Sequence, residues 1–384
     1  MSLAEIPLID TDTHVSEPPD LWTSRVKGDY GDLVPHVVMD DNGKERWKIG
    51  NKLLEGSGKW AAAGWTEFPP GAPPTLAHAD PGSWNPTDRL ERMDEYGIHA
   101  QVLFPNILAF YMQLLITLDE PEFLKDCIRA YNDFLTDFAS EDDKRLIPLM
   151  VLPYWDIEGS VEEIRRAAKR GHKGIVFGSS FEKIGLPKLW NPFWDPIWEE
   201  AQRQGLSINF HVGFVELNEE ELSGRIHVPG DEHTRVTSVG MMGNARAIAD
   251  VTTMGICHKY PELNIVSVES GVGWLPYLME SLDWHWCNYG AREERPDMEL
   301  PSFYLRRQVY GSFWFEKETV KRAVELLPDN LMFESDYPHP TSLSPGPKST
   351  ALVPRASAER SLEGLPIELA RKVMYENAAR LYHL

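Results

Sequence analysis

Apolar residues fall into short unbroken runs, each followed by a stretch in which apolar positions recur at helical spacing. The first run, Ile6 to Ile9, ends abruptly in Asp10-Thr11-Asp12-Thr13-His14. Similar runs are Gln101 to Pro105, Leu146 to Pro153, Gly174 to Phe177, Ser207 to His211, Leu263 to Glu269, Gln308 to Phe313 and Leu331 to Asp336. Helices are expected between them: from Thr87, the candidate N-cap, to Gly97, and from Glu120 to Ser140. A capping box, Ser160-x-x-Glu163, opens another that Gly171 closes. Further helices are expected over 193–204, 239–260, 272–288, 316–327 and 367–382. Strands buried on both faces read as continuous apolar runs, and alternation with helices implies a parallel sheet. Eight such units predict a closed (β/α)8 TIM barrel over a doubly wound open sheet.

Residues 18–86 break the pattern. Pro35 to Leu54 reads as a hairpin, with Val37-Val38-Met39 and Trp47-Lys48-Ile49 joined at Asp41-Asn42-Gly43. The Pro-rich stretch from Glu67 to Pro74 suits neither helix nor central strand. The region is expected to be an insertion on a single barrel spanning 1–384, its tryptophans Trp60, Trp65 and Trp84 packed within it or walling a pocket.

Charge narrows the function. With 38 basic and 59 acidic residues the net charge is −21, which disfavours nucleic acid. The three cysteines, Cys127, Cys257 and Cys287, fit no disulfide framework or paired zinc motif. No signal peptide or membrane span is expected, so the location read from the sequence is cytoplasmic. No glycine-rich phosphate loop follows a strand, so no nucleotide cofactor is expected.

Barrel active sites lie at the C-terminal ends of strands. Those ends carry Asp12 and His14, His211, Glu269 and Asp336. Residues two apart on a strand share a side, so Asp12 and His14 both face the barrel axis. Carboxylates gathered in one mouth repel each other unless a cation holds them ionised. The expected set is therefore a metal site of Asp12, His14, His211, Glu269 and Asp336. His211, Asp336 and His339 are the candidate catalytic groups.

These motifs resemble the amidohydrolase superfamily, in the branch of barrel hydrolases and decarboxylases related to aminocarboxymuconate-semialdehyde decarboxylase. The resemblance rests on Ile9-Asp10-Thr11-Asp12-Thr13-His14, Asn209-Phe210-His211-Val212-Gly213, Val268 to Pro276 and Glu334-Ser335-Asp336-Tyr337-Pro338-His339. The family's His-x-His is here Asp12-x-His14, and its strand-six His is Glu269. Oxygen replaces nitrogen at both places, which leans toward manganese or iron over zinc, one or two ions per chain. The resemblance implies a metal-dependent hydrolase or non-oxidative decarboxylase acting on a small, aromatic or carboxylated molecule. An alternative is a dinuclear iron or manganese monooxygenase on the same barrel; a third is a subunit that has lost catalysis. By analogy the chain is expected to form a homo-oligomer or to assemble with related subunits. Glu17 is an outer ligand or the start of a loop. His227 and His233 belong to a polar loop over the mouth, as lid, ligand or solvated residues. His258 suits a helix end, and His285 packs beside Trp284 and Trp286.

Overall fold

The computed structural model describes residues 2–69, 71–214, 230–344 and 346–384. In it the first apolar run leads into β1 (Ile9–His14), and the inserted region forms β2 (His36–Met39), β3 (Glu45–Ile49) and β4 (Lys52–Gly56). The later runs are β5 (Ala100–Phe104), β6 (Leu146–Met150), β7 (Gly174–Phe177), β8 (Ser207–His211), β9 (Ile265–Val268), β10 (Val309–Phe313) and β11 (Leu331–Phe333). Eight of them close into a barrel in the order β1-β11-β10-β9-β8-β7-β6-β5. Each neighbouring pair is parallel. All of their residues are buried, which is why they read as continuous runs. The expected (β/α)8 barrel is the fold observed.

β1 starts later than its hydropathy suggests. Asp12 and His14 lie inside the strand, not after it. Between Asp10 and Thr13 its register with β5 slips by one residue, a bulge that re-aims the side chains there. Beyond β11 the chain keeps alongside β1: Asp336 N donates to Asp12 O (3.0 Å) and His14 N to Tyr337 O (2.7 Å). The two ends of the sequence thus meet at the mouth.

Helix starts differ in detail from expectation. Asn85, not Thr87, caps Pro86–Tyr96, accepting from Thr87 N and Asp88 N, and Gly97 ends it at φ +68°. Asp156 caps Ile157–Ala168 through Gly159 N, so Ser160 is already helical and no capping box forms there. Its hydroxyl donates instead to Pro153 O. The helix expected over 239–260 is broken into Gly230–Gly240, Asn244–Thr253 and Ile256–Lys259, the last break at Gly255 with φ +93°. Pro121–Ala139 packs on β6 and buries Phe123, Ile128, Tyr131, Leu135 and Phe138. Burying such a side chain stabilises by about 1.5–3 kcal/mol.

The inserted hairpin gains a third strand, giving an antiparallel sheet β2-β3-β4. Trp47 of β3 meets Trp22 edge to face at 5.3 Å. Past the sheet the insertion runs over the barrel mouth: Ala63 N donates to Pro338 O (2.9 Å) and Gly64 N to Ser344 O (2.6 Å). Among the described residues no helix is long and apolar enough to cross a membrane.

Candidate active site

The strand ends bring Asp12, His14, His211 and Asp336 into one buried cluster. His14 Nε2 lies 3.1 Å from His211 Nε2, and each of these nitrogens is 3.5 Å from Asp12 Oδ1. Asp336 Oδ1 lies 3.7 Å from His14 Nε2. Both rings are aimed by their far nitrogens. His14 Nδ1 donates to Pro105 O (3.0 Å) and His211 Nδ1 to Val212 O (2.8 Å), which leaves both Nε2 lone pairs facing inward.

Asp12 is the anomaly that shows what the cluster needs. It is fully buried, and neither of its carboxylate oxygens has a hydrogen-bond partner among the described residues. Asp336 Oδ1 makes no well-aligned hydrogen bond among the described residues, although His339 Nδ1 lies 2.9 Å away, while its Oδ2 accepts from Thr341 Oγ1. Inward lone pairs from two imidazoles beside bare carboxylate oxygens fit a divalent cation of the kind these ligands bind, at about 2.0–2.2 Å each. Asp12, His14 and His211 together, and His14, Asp336 and His339 together, are close enough for that role.

Electrostatics point the same way. Burial pushes the Asp12 carboxyl up, with the Asp336 charge adding to it. Burial and then the neighbouring carboxylates Asp336 and Asp12 hold Glu269 far above the usual carboxylate range. Burial, then repulsion from His339 and His211, keeps His14 well below the ordinary imidazole value. Burial also opposes charge on His211, yet the adjacent Asp12 raises it.

Glu269 approaches the cluster through the other nitrogen of His211, close enough to Asp336 and Asp12 for their charges to act on it. Its carboxylate lies 3.7 Å from His211 Nδ1, on the far side of that ring from Asp12. Glu269 and Asp336 share an unusual backbone, with φ +53° and +58°. The left-handed region costs an L-residue about 1–2 kcal/mol, and such strain collects where a side chain must be aimed. His339 completes the mouth: its Nδ1 is 2.9 Å from Asp336 Oδ1 and its ring stacks on His14 at 3.7 Å. Trp60 from the insertion stacks on Phe110 at 4.7 Å and lies 5.0 Å from His339, so it walls the site.

The amidohydrolase family model matches residues 9–384. This chain belongs to that family. Over 279 residues the chain is 26% identical to 2-amino-3-carboxymuconate-6-semialdehyde decarboxylase of Dictyostelium discoideum, covering 70% of each chain. It is similar in fold to an amidohydrolase of Mycobacterium avium subsp. paratuberculosis K-10 (TM-score 0.74, 21% identity, 98% of this chain and 99% of that one). It is also similar in fold to 5-carboxyvanillate decarboxylase of Novosphingobium aromaticivorans DSM 12444 (TM-score 0.63, 20% identity, 99% and 97%). That enzyme was crystallised with manganese and 4-hydroxy-3-methoxy-5-nitrobenzoic acid. None of these three is an oxygenase by name.

Several residues of the mouth were not singled out from the sequence. Glu334 is fully buried at the end of β11 and accepts from Glu269 N (3.0 Å); its strand-end position could have flagged it. Thr341 and Asn106 are polar loop residues; Thr341 meets Asp336 five residues earlier, and Asn106 meets His339, distant in sequence. Glu17 is engaged by backbone: its Oε1 accepts from Asn106 N and Ile107 N, both at 2.9 Å. His227 lies outside the described residues, and His233 is exposed on Gly230–Gly240. His258 pairs with Tyr304 and Asp297, and His285 packs on Trp284 and Tyr289, both away from the cluster. Trp65 borders a small cavity with Ala62, Phe68 and His339, while Trp84 packs on Ala61, Leu76 and Ala79.

Proposed function

We propose that this protein is a metal-dependent, non-oxidative carboxy-lyase acting on a small aromatic or similarly unsaturated carboxylate. The observation that carries the reading is the buried Asp12 carboxylate, bare on both oxygens beside two inward imidazoles, with Asp336 next to it. The names of the similar decarboxylases support the reaction class. Asp12, His14, His211 and Asp336 would hold the cation, with Glu269 as an outer carboxylate. Manganese is the first candidate, as in the Novosphingobium enzyme; iron and zinc suit the same donors. When bound, the cation supplies Lewis-acid charge for a substrate carboxylate or neighbouring oxygen.

The chain's own residues then divide the remaining work. In decarboxylation the bond between the ring carbon and the carboxyl carbon breaks, CO2 leaves, and the electron pair stays on the ring carbon. A proton must replace the lost group there. Asp336, steadied by Thr341 and adjacent to His339, is placed to deliver it. Trp60 and Phe110 offer an apolar wall for a flat ring and keep water from the cluster.

The test is anaerobic. Chelator-treated, manganese-reloaded protein is incubated with a panel of hydroxylated aromatic carboxylates, and CO2 release is followed. We expect turnover with at least one member, reduced about 10²–10⁴-fold in Asp336→Asn. Hydrolysis of an ester or amide with no CO2 from any carboxylate would contradict the reading, as would an absolute requirement for oxygen.

A further inference from the structure

Asn106 stands at the start of the short helix Ile107–Phe110, and each polar atom of its side chain is committed. Its Nδ2 donates to Val15 O (3.1 Å) and to Glu17 Oε2 (3.3 Å), while its Oδ1 faces His339 Nε2 at 2.7 Å. Turning the amide over would set its oxygen against a carbonyl and a carboxylate, acceptor against acceptors, so its polarity is fixed. Glu17 is fixed in turn by the backbone N–H groups of Asn106 and Ile107. All three side chains are shielded: Glu17 is 4%, Asn106 0% and His339 2% exposed.

An amide oxygen can only accept, so the Nε2 of His339 must carry a hydrogen. The other ring nitrogen, Nδ1, then points at Asp336 Oδ1. The ring cannot turn away, because His14 stacks on it and Trp60 lies beyond. We infer that Glu17 and Asn106 form a clamp that holds His339 in one orientation with its Nε2 protonated, leaving Nδ1 as its only atom addressing Asp336. Both are positioning residues. Nε2 serves as an anchor, and Nδ1 faces Asp336 from a fixed direction. The functional meaning of the clamp rests on the proposed role of Asp336, but its existence does not.

The test therefore reads the tautomer directly, in the full chain, free of metal and without substrate. Long-range proton–nitrogen correlation spectra of protein labelled with 15N-histidine report which ring nitrogen is protonated, and His339→Gln assigns the signal. We expect Nε2 of His339 to carry a proton in the wild type. In Asn106→Leu, which offers no acceptor, the proton should no longer be confined to Nε2 and Nδ1 should share it. Should Asn106→Leu fail to fold, Glu17→Gln is the second variant, with a smaller shift in the same direction. Once a substrate is known, Asn106→Leu should lower kcat about 10–100-fold with little change in KM. A wild-type spectrum with Nε2 unprotonated, or an unchanged spectrum in a folded Asn106→Leu, overturns the inference. Absence of decarboxylase activity would leave this readout untouched, so the two failures are distinguishable.

Discussion

Two carboxylates stand two residues apart on β1, both wholly shielded from water, and the chain treats them in opposite ways. Asp10 is enclosed by donors: Ser335 N at 2.8 Å, Ser335 Oγ at 2.5 Å and Gln101 Nε2 at 3.3 Å. It ties β1 to β5 and to the segment after β11. Burial pushes it up to about 7 although those bonds pull the other way. Asp12 has no donor at all, only two imidazole nitrogens at 3.5 Å. A buried polar group is normally satisfied, and a buried charge left alone is costly. The lower layer of the barrel is therefore satisfied by protein donors, while in the upper layer a cation is the partner proposed for Asp12. One residue pair separates scaffold from site.

Removing Asp12 should give the largest effect. Asp12→Ala is expected to lower manganese affinity by more than the 10–100-fold typical of an outer partner. The metal-free variant should unfold no more easily than the wild type, because an uncompensated buried charge is gone. Manganese titration and thermal melting check the two halves. Asp10→Ala should do the reverse: metal affinity stays close to wild type, while the stranded Ser335 and Gln101 donors cost about 1–3 kcal/mol of stability each. Denaturant unfolding measures this, and undiminished stability would dissolve the comparison. Glu269→Gln should fall between them, lowering metal affinity less than Asp12→Ala, since Glu269 sits on the outer side of His211.

The smallest effect concerns a histidine that belongs to the scaffold. His172 is buried, bonds Asn132 O at 3.1 Å and Thr136 Oγ1 at 3.0 Å, and is pushed down to about 4, mainly by burial. An unfolded histidine titrates near 6.5. Between those values the unfolded chain binds the extra proton, so stability should fall as pH drops from about 6.5 to 4. His172→Gln, which keeps a donor for Asn132 O, should flatten that slope in pH-dependent melting. An unchanged slope would show that other groups govern it.

How much of this was legible depended on what kind of partner a residue has. The barrel was readable because strands buried on both faces carry unbroken apolar runs, even the weakly marked 308–313. Ionisable residues ending those runs were readable for the same reason: Asp12, His14, His211 and Asp336 interrupt a pattern. Asp10 and Asp12 look alike in sequence, however. What distinguishes them is Ser335, 325 residues away, and a bulge in β1 that hydropathy does not register. Asn106 was invisible, since a polar residue after a strand carries no sign that its amide will meet His339. The third strand of the insertion was missed because Lys52 to Gly56 shows little alternation.

The most direct test of the cation layer is calorimetric titration of manganese into chelator-treated protein, wild type beside Asp12→Ala. The account predicts saturable uptake of about one cation per chain by the wild type, greatly weakened in the folded variant. Equal affinity in both, or no uptake by the wild type, would contradict it.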